Sequence, residues 1–301
     1  MERFVSAEEV RQALGAARRD GKPVALVPTM GALHGGHLKL VRAARKRADV
    51  VVASIFVNPA QFGPDEDFEA YPRDMTRDLE LLAAEDVDVV FTPTVEAMYP
   101  LGSETVVEPG TIATLWEGES RPGHFTGVCT VVAKLFDIVQ PDIAFFGEKD
   151  YQQLVIVRRI VRDLHYGLRV AGVPIVRDRD GLALSSRNAY LSPEQRAAAL
   201  VLSRALEAVR QQASAGERDA LALARLLAEE VAGTSLAELD YAAIVDCETL
   251  EQLDVLDGPA RAIVAARFGR ARLIDNVPIA LAGDAVRHLA AAGEATCETP
   301  A

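Results

Sequence analysis

The sequence predicts an α/β protein in which a doubly wound parallel sheet is followed by a smaller α+β domain. Up to about Pro174, five short apolar runs alternate with segments of helical periodicity, a pattern typical of a parallel sheet with helices on both faces. Beyond that point, two Ala/Leu-rich helical segments precede three short strand-like runs. We therefore expect a first domain at 1–175 and a second at 176–301, with a disordered tail from about Ala291.

Capping residues and apolar runs place the elements of the first domain in order. Ser6-Ala-Glu-Glu9 is a capping box that opens a helix running to about Arg19. The first buried strand, 24–27, is expected to end at Pro28, because proline has no N–H for the ladder. The other predicted strands are 49–57, 87–91, 143–146 and 168–173, with a further short strand at 104–107, and the predicted helices between them are 37–48, 75–84, 128–139 and 151–164.

The second domain begins with a charged turn and a second helix signal. Ser192-Pro-Glu-Gln195 is a capping box with proline at the first helical position. Two helices are expected to fill 193–231. Short strands are expected at 240–245, 262–267 and 271–274.

The composition narrows the classes of function. The net charge is −12, which argues against general binding to nucleic acid or to an anionic membrane surface. Three scattered cysteines are too few for a disulfide framework or a zinc site, and we find neither a signal peptide nor an apolar run of membrane length. We expect a cytoplasmic protein with small-molecule partners, in which any anionic ligand is held by local positive groups.

Three loops follow predicted strands at their carboxyl ends, at 28–37, 58–63 and 147–153. Right-handed crossovers bring such loops to one edge of the sheet, where ligands bind in open α/β folds. The glycine patterns of dinucleotide-binding enzymes and of P-loop proteins are missing from the sequence, so both classes are disfavoured.

The first of these loops carries His34-Gly-Gly-His37 at the start of a predicted helix. A helix N-terminus presents unpaired N–H groups and the positive end of the helix dipole, which suits phosphate. Two histidines three residues apart can both donate to one anion. The alternative interpretation is a glycine-rich turn with two exposed histidines.

Charged and hydroxyl side chains on other loops offer matching chemistry. Lys149 follows the fourth predicted strand, where an ammonium can neutralise a phosphate or a developing negative charge, although most lysines simply face solvent. Ser185, Ser186 and Arg187 combine two hydroxyls with a guanidinium fork that suits phosphate oxygens. A polar turn is the alternative for these three residues.

Neutral side chains on the same loops suit an organic substrate. Asn58, Gln61 and Gln153 are amides that can orient a hydroxylated carboxylate without adding charge. His124 follows Arg121-Pro-Gly, and it either contacts a ligand or only shapes the loop.

Six short motifs occur in order along most of the chain. They are Pro28-Thr-Met-Gly-Ala-Leu-His-Gly-Gly-His37, Phe56-Val-Asn-Pro-Ala-Gln-Phe62, Tyr71-Pro-Arg73, Arg121-Pro-Gly-His-Phe-Thr-Gly127, Phe146-Gly-Glu-Lys-Asp-Tyr-Gln-Gln153 and Leu184-Ser-Ser-Arg-Asn188. Together they resemble the pantothenate synthetase (pantoate–β-alanine ligase) family of the nucleotidyltransferase superfamily. The resemblance implies a Rossmann-like sheet of the nucleotidyltransferase type and a homodimer. Because Lys149 lies in the first predicted domain and Ser185 to Arg187 lie in the second, we also expect the second domain to act as a lid.

The resemblance also implies the reaction and the residues that carry it. The protein would condense (R)-pantoate with β-alanine, using ATP and Mg²⁺, through a pantoyl adenylate, with release of pyrophosphate and AMP. The catalytic residues would be His37 as proton donor at the leaving phosphates, His34, Lys149 and Arg187. Gln61 and Gln153 would bind pantoate, and Gln61 and Asn58 would bind β-alanine. The ATP-binding residues would be Met30, Gly31, Ala32, Leu33, His34, Gly35, Gly36, His37, Gly147, Glu148, Lys149, Asp150, Val176, Leu184, Ser185, Ser186 and Arg187.

The chain departs from the family at one position that bears on the metal. The family often has a pair of acids near positions 77–78, and here Arg77 replaces the first and only Asp78 remains. The protein ligands of Mg²⁺ therefore stay open. Two other functions also stay open, namely a nucleotidyltransferase that ends at a nucleotide product and a non-catalytic regulator that binds ATP.

Overall fold

The computed structural model describes residues 1–64 and 66–280, and the predicted disorder of the tail from 291 lies outside them. The chain divides into two compact units. The first comprises Met1–Arg177 together with Leu184–Ser186, and the second comprises Asp178–Ala183 and the described residues from Arg187 onward. The domain boundary at 175/176 and the lid role of the second domain remain predictions.

Within the described residues, the first unit contains a six-stranded sheet of order β1-β4-β3-β2-β5-β6 in which every pair of neighbours is parallel. This architecture confirms the predicted fold class. The strands are β1 (Glu2–Phe4), β2 (Val24–Thr29), β3 (Val50–Ile55), β4 (Val89–Phe91), β5 (Ile143–Gly147) and β6 (Arg169–Val173).

Helices connect these strands, and their boundaries follow the capping signals. The capping box of Ser6 and Glu9 is present at α1, as predicted. The helices of the first unit are α1 (Ala7–Arg19), α2 (Gly35–Arg45), α3 (Met75–Ala84), α4 (Val95–Met98), α5 (Glu117–Ser120), α6 (His124–Val139) and α7 (Tyr151–Asp163). The helix predicted for 128–139 begins earlier, at His124, because Gly123 in the left-handed region sets the start of α6.

The order of strands reverses between β2 and β5, and this switch point creates a crevice at their carboxyl ends. The two strands pair only at Ala25↔Ile143 and Leu26↔Ala144, so the pairing ends before either strand does. The loops that follow β2 and β5 therefore leave the sheet on opposite sides of this opening.

The prediction that Pro28 ends the first strand is wrong, since β2 continues to Thr29. Successive residues of a strand direct their backbone groups to alternate neighbours, and Val24 accepts the N–H of Asp142 on the β5 side at 2.8 Å. Pro28 faces that same side, beyond the last β2–β5 pair, so its missing N–H interrupts no ladder bond.

The sheet is fixed to α2 by a buried cluster directly below the crevice. Leu40, Val41 and Ala44 of α2 pack with the apolar side chains of β2 and β3. Full burial of a valine or leucine contributes about 1.5–3 kcal/mol to stability. This packing holds the N-terminus of α2 at the end of β2, where the two histidines lie.

The sequence missed one short strand of the first unit and predicted another that does not form. β1 was not predicted, because its three residues are mostly exposed and too short to show a pattern, yet they pair with β4 from Glu2↔Val89 to Phe4↔Phe91. The strand predicted at 104–107 is irregular, since alternation alone does not supply a pairing partner.

The second unit contains the predicted smaller sheet, which is antiparallel in the order β7-β8-β9. In the described chain three helices replace the predicted two, because the helix opened by the Ser192–Gln195 capping box breaks at Leu200 without a glycine or proline to signal it. The elements are α8 (Pro193–Ala199), α9 (Val201–Ser214), α10 (Ala220–Ala232), β7 (Glu238–Asp246), β8 (Ala260–Phe268) and β9 (Ala271–Ile279). None of the helices in residues 1–64 and 66–280 has the length and apolar character needed to cross a membrane.

Candidate active site

The turn between β2 and α2 is closed by its two histidines. His34 is the N-cap residue, and its Nδ1 accepts the backbone N–H of Gly36 at 3.1 Å. His37 reciprocates, since its Nδ1 accepts the backbone N–H of His34 at 3.3 Å. An Nδ1 that accepts is unprotonated, so each neutral ring carries its hydrogen on Nε2. The two ring centroids lie 4.1 Å apart, so the two rings that carry Nε2–H lie next to each other.

Both imidazoles are neutral near pH 7. Burial lowers the pKa of His34 to about 4, and the positive charge of Lys149 contributes further. Burial lowers the pKa of His37 to about 3, with smaller contributions from His34 and Lys149. The rings therefore offer neutral N–H donors, and the positive charge beside them comes from Lys149 and, at His34, also from Arg77.

Asp78 of α3 holds the backbone of the same turn. Its carboxylate is 1% exposed, and its two oxygens each accept one backbone N–H, from Ala32 and from Leu33, both at 2.8 Å. Its neighbour Arg77 donates through Nη1 to the Leu33 carbonyl at 3.2 Å. Sequence reasoning considered Asp78 only as a metal ligand, because nothing in the sequence shows that α3 packs against a turn 45 residues earlier.

The loop after β5 lies next to this turn, as the switch point requires. β5 ends at Gly147, a 3-10 turn covers Glu148–Asp150, and α7 follows at once. The Lys149 side chain is 20% exposed, and its Nζ lies 3.9 Å from Asp150 Oδ1. Lys149 lowers the pKa of both His34 and His37, which shows that the two loops are close.

The loop after β3 reaches the turn through Gln61. The Gln61 Nε2 donates to the sulfur of Met30 at 3.4 Å, and its Oε1 accepts from Asn58 Nδ2 at 3.1 Å. Asn58 is 1% exposed, and its Nδ2 also donates to the Gly127 carbonyl, while its Oδ1 accepts from Tyr99 Oη at 2.7 Å and from a backbone N–H. Asn58 is therefore fully engaged within the protein, whereas Gln61 directs its N–H₂ group toward Met30.

The two glutamines at the start of α7 differ in the same way as Asn58 and Gln61, because one is fully engaged within the fold and the other is not. Gln152 is buried, and its side chain donates to the carbonyls of Ile112 and Leu115 and accepts the N–H of Glu117. Gln153 is partly exposed, and its amide makes no hydrogen bond to the described part of the chain. Of the two, Gln153 is the one whose amide is not used within the described chain, and its role in pantoate binding stays a prediction.

The geometry around His124 supports the loop-shaping alternative. His124 is 9% exposed, and its Nδ1 donates to the Gln61 carbonyl at 2.8 Å, which leaves Nε2 to accept from Arg121 at 3.0 Å. Arg121 also makes a bidentate ion pair with Glu66. Both ring nitrogens of His124 are thus occupied, and they hold the peptide of Gln61.

The segment 184–186 of the first unit also approaches the turn. Leu184 donates its backbone N–H to the Val176 carbonyl at 2.9 Å, and its side chain lies over Gly35. Tyr71 and Ser186 form a hydroxyl–hydroxyl contact of 3.4 Å. Arg187 belongs to the second unit. Among the predicted site residues, those of the first unit therefore gather at the carboxyl ends of β2, β3 and β5.

Comparison with known proteins agrees with this geometry. The family model for pantoate–β-alanine ligase matches residues 2–278. The pantothenate synthetase of Rubrobacter xylanophilus is 53% identical over 282 residues, covering 91% of this chain and 97% of that protein. A pantothenate synthetase structure from Thermus thermophilus has a TM-score of 0.87 at 52% identity, covering 93% of this chain and 99% of the other.

A third similar structure carries ligands. It is the pantoate–β-alanine ligase of Francisella tularensis complexed with beta-gamma ATP and beta-alanine, with a TM-score of 0.75 and 34% identity, covering 92% of this chain and 97% of the other. The resemblance inferred from the six motifs is confirmed. The chain belongs to the pantoate–β-alanine ligase family.

Proposed function

We propose that this protein condenses (R)-pantoate with β-alanine at the expense of ATP, through a pantoyl adenylate. The observation that carries the proposal is the meeting of two Nε2–H donors and a lysine at the switch point between β2 and β5. The reaction itself is inferred from membership of the pantoate–β-alanine ligase family.

In the first step the pantoate carboxylate attacks the α-phosphate of ATP, and pyrophosphate leaves. An anion that attacks an anion needs positive potential and directed donors. Lys149 supplies the charge, and His34 and His37 supply hydrogen bonds from Nε2. The sequence suggested that His37 is a proton donor, but a neutral imidazole holds its last proton too tightly to release it. We propose that His37 starts as a hydrogen-bond donor and gains proton-donor character only as bound phosphates raise its pKa.

In the second step the β-alanine amine attacks the acyl carbon, and AMP leaves. Adenylation has already replaced a poor leaving group by a good one, so the protein needs no nucleophile of its own. Gln61 and Gln153 are proposed to hold pantoate, and Gln61 also β-alanine. Asn58 has no capacity left for a substrate, so we propose that it contributes to β-alanine binding by holding Gln61.

The nucleotide is proposed to bind along the segments that gather at the crevice. Met30 to His37 would line its phosphates, Gly147 to Asp150 and Val176 would hold the ribose, adenine and α-phosphate, and Leu184 to Arg187 would hold the β- and γ-phosphates. The Leu184–Val176 hydrogen bond and the contact of Leu184 with Gly35 support this arrangement for the first unit.

The described residues offer no ready-made metal site. They contain no cluster of three or more histidine, cysteine, aspartate or glutamate side chains. Mg²⁺ usually binds through substrate phosphates and water, with one or two carboxylates. We propose that it accompanies ATP in this way. A homodimeric assembly is likewise proposed from the family resemblance alone, and a cytoplasmic location from the composition of the sequence.

Pyrophosphate release tests the reaction directly. The assay contains ATP, Mg²⁺ and pantoate, with and without β-alanine. We expect slow or single-turnover release without the amine, and sustained release with formation of AMP and pantothenate when the amine is present. Sustained release that ignores β-alanine would indicate a nucleotidyltransferase with a different acceptor. ATP binding without any release would indicate the regulator.

Substitution of Lys149 tests the proposed source of positive potential. We expect Lys149→Ala to lower turnover by about 10²–10³-fold, the usual effect of losing one preorganised charge-stabilising donor. Lys22→Ala is the matched control, because Lys22 is an exposed lysine beside the amino end of β2, at the opposite edge of the sheet. Equal activity of the two variants would contradict the assigned role.

A further inference from the structure

The turn that precedes His34 has an unusual backbone, and a side chain of α3 fixes it from outside. Gly31 and Ala32 both have positive φ, +82° and +49°. An alanine rarely adopts this conformation, so the surrounding structure must impose it. Asp78 does so by accepting the N–H groups of Ala32 and Leu33, one on each carboxylate oxygen.

The fit between Asp78 and the turn leaves no room for an ion. A Cβ added to Gly31 would lie 2.8 Å from Asp78 Oδ2, so the carboxylate already packs against the Gly31 backbone. The carboxylate is also almost fully buried. A Mg²⁺ ligand needs an oxygen that is open to the ion and its waters, and this carboxylate instead faces the chain.

We propose that Asp78 is a positioning residue for nucleotide binding and not a ligand of Mg²⁺. By fixing residues 31–33, it sets the start of α2 and thereby the positions of the His34 and His37 rings, which carry the Nε2–H groups. Arg77 supports the same turn through the Leu33 carbonyl, so the residue that replaces the first family acid has a structural task as well. The inference rests on the proposed ATP site.

The test is the affinity for ATP with and without metal. In Asp78→Asn the amide nitrogen must face one of the two backbone N–H groups, which leaves that buried donor without an acceptor. We expect the dissociation constant for ATP in EDTA, measured by calorimetry, to rise about 10–100-fold, the consequence of one unsatisfied buried group. The Mg²⁺ concentration that gives half-maximal turnover should stay unchanged.

Two further variants separate positioning from metal binding. Asp78→Glu keeps a carboxylate that can bind Mg²⁺ but is too long for the space beside Gly31, so we expect it to weaken ATP binding as well. Glu80→Gln is the matched control, because it removes the same charge from an exposed position of α3 and should change nothing. Unchanged ATP affinity in EDTA together with a raised Mg²⁺ requirement in Asp78→Asn would overturn the proposal.

Arg77→Met keeps the test decisive if the Asp78 variants do not fold. Arg77 is exposed, so its loss should leave the fold intact. We expect a roughly 2–5-fold weaker affinity for ATP in EDTA, since one partly exposed hydrogen bond to the turn is lost, and an unchanged Mg²⁺ requirement. Unchanged affinity in this variant would count against the proposal. Failure of the wild-type protein to bind ATP would instead contradict the proposed function.

Discussion

Two helices of the first unit have a histidine at the N-cap or first position, and the imidazoles at these two N-termini are used in opposite ways. At α2, the Nδ1 atoms of His34 and His37 accept backbone N–H groups, and the Nε2–H donors point away from the turn. At α6, His124 donates from Nδ1 to a carbonyl and accepts at Nε2 from Arg121. The first pair keeps its Nε2–H groups free of the hydrogen bonds that close the turn, whereas both ring nitrogens of His124 are bonded within the fold.

Burial alone does not distinguish these two regions. It is the largest cause of a lowered pKa in all three rings, to about 4 for His34 and His124 and to about 3 for His37. The difference lies in the partner of the second nitrogen. A perturbed histidine is therefore a candidate for catalysis only when one ring nitrogen remains available, and the hydrogen-bond geometry decides this.

The largest effect should come from removing a donor at α2. We expect His37→Ala to lower turnover by about 10²–10³-fold, because its Nε2–H is proposed to stabilise charge on the phosphates. Single-turnover pyrophosphate release at saturating ATP and pantoate measures this. Turnover close to that of the wild type would remove the functional distinction between the two regions.

The pH dependence of the unfolding free energy should reflect the combined effect of His34, His37 and His124. Their pKa values are lower in the folded protein than the ordinary 6.5. Above about pH 6.5 the rings are neutral in both the folded and the unfolded protein, so they do not lower the unfolding free energy there. As the pH falls below this value, the unfolded chain binds protons that the folded protein does not. Each ring then costs about 1.4 kcal/mol of unfolding free energy per pH unit, until the folded pKa near 4 or 3 is reached.

Urea unfolding between about pH 7 and pH 5 measures this loss. In His124→Phe, the slope of the unfolding free energy against pH should fall by the equivalent of about one proton, since only one of the three rings is lost. A stability that does not change over this range would show that the rings are protonated in the folded protein, contrary to the neutral state described above.

His124→Phe should also separate the two regions at constant pH. The ring contact with Phe125 is kept in kind, but Arg121 and the Gln61 carbonyl each lose a hydrogen-bond partner. We expect the unfolding free energy at pH 7 to fall by about 1–3 kcal/mol, with turnover reduced much less than in His37→Ala. A loss of turnover as large as that of His37→Ala would mean that His124 has a direct role.

The smallest effect should come from Tyr99, which contacts Gln61 indirectly through Asn58. Tyr99→Phe removes the hydroxyl that donates to Asn58 Oδ1 and leaves the aromatic ring in place. One hydrogen bond of about 0.5–1.5 kcal/mol corresponds to a roughly 2–10-fold higher KM for pantoate. The KM for ATP should not change, and an equal rise in both constants would indicate a general loosening of the site.

Much of the fold was predictable because its signals are local. Apolar runs and capping boxes predicted the alternation of strands and helices, and α3 lies at the predicted residues. The predictions fail where secondary structure depends on a pairing partner that is distant in the sequence. β1 forms because β4 pairs with it, and Pro28 is tolerated because the pairing of β2 with β5 ends before it. Residues 104–107 stay irregular without a partner strand in the described chain.

The chemistry of the site divides in the same way. Residue types and motif order indicated that His34, His37 and Lys149 come to one crevice, because strand ends of a parallel sheet share an edge. Only the tertiary structure decided which polar groups remain available there. Contacts across dozens of residues occupy Asn58, Gln152 and His124, whereas the Gln61 amide reaches Met30 of the turn and the Gln153 amide makes no hydrogen bond to the described chain.

The sequence by itself determined the family, the parallel sheet and the loops that meet at the crevice, because these follow from local patterns and fixed strand–loop–helix connections. The tertiary structure alone decided the tautomer of each histidine, the hold of Asp78 on the turn and the orientation of Gln61. These depend on hydrogen bonds between segments far apart in the chain, and a buried polar group must take whatever partner the packing brings to it.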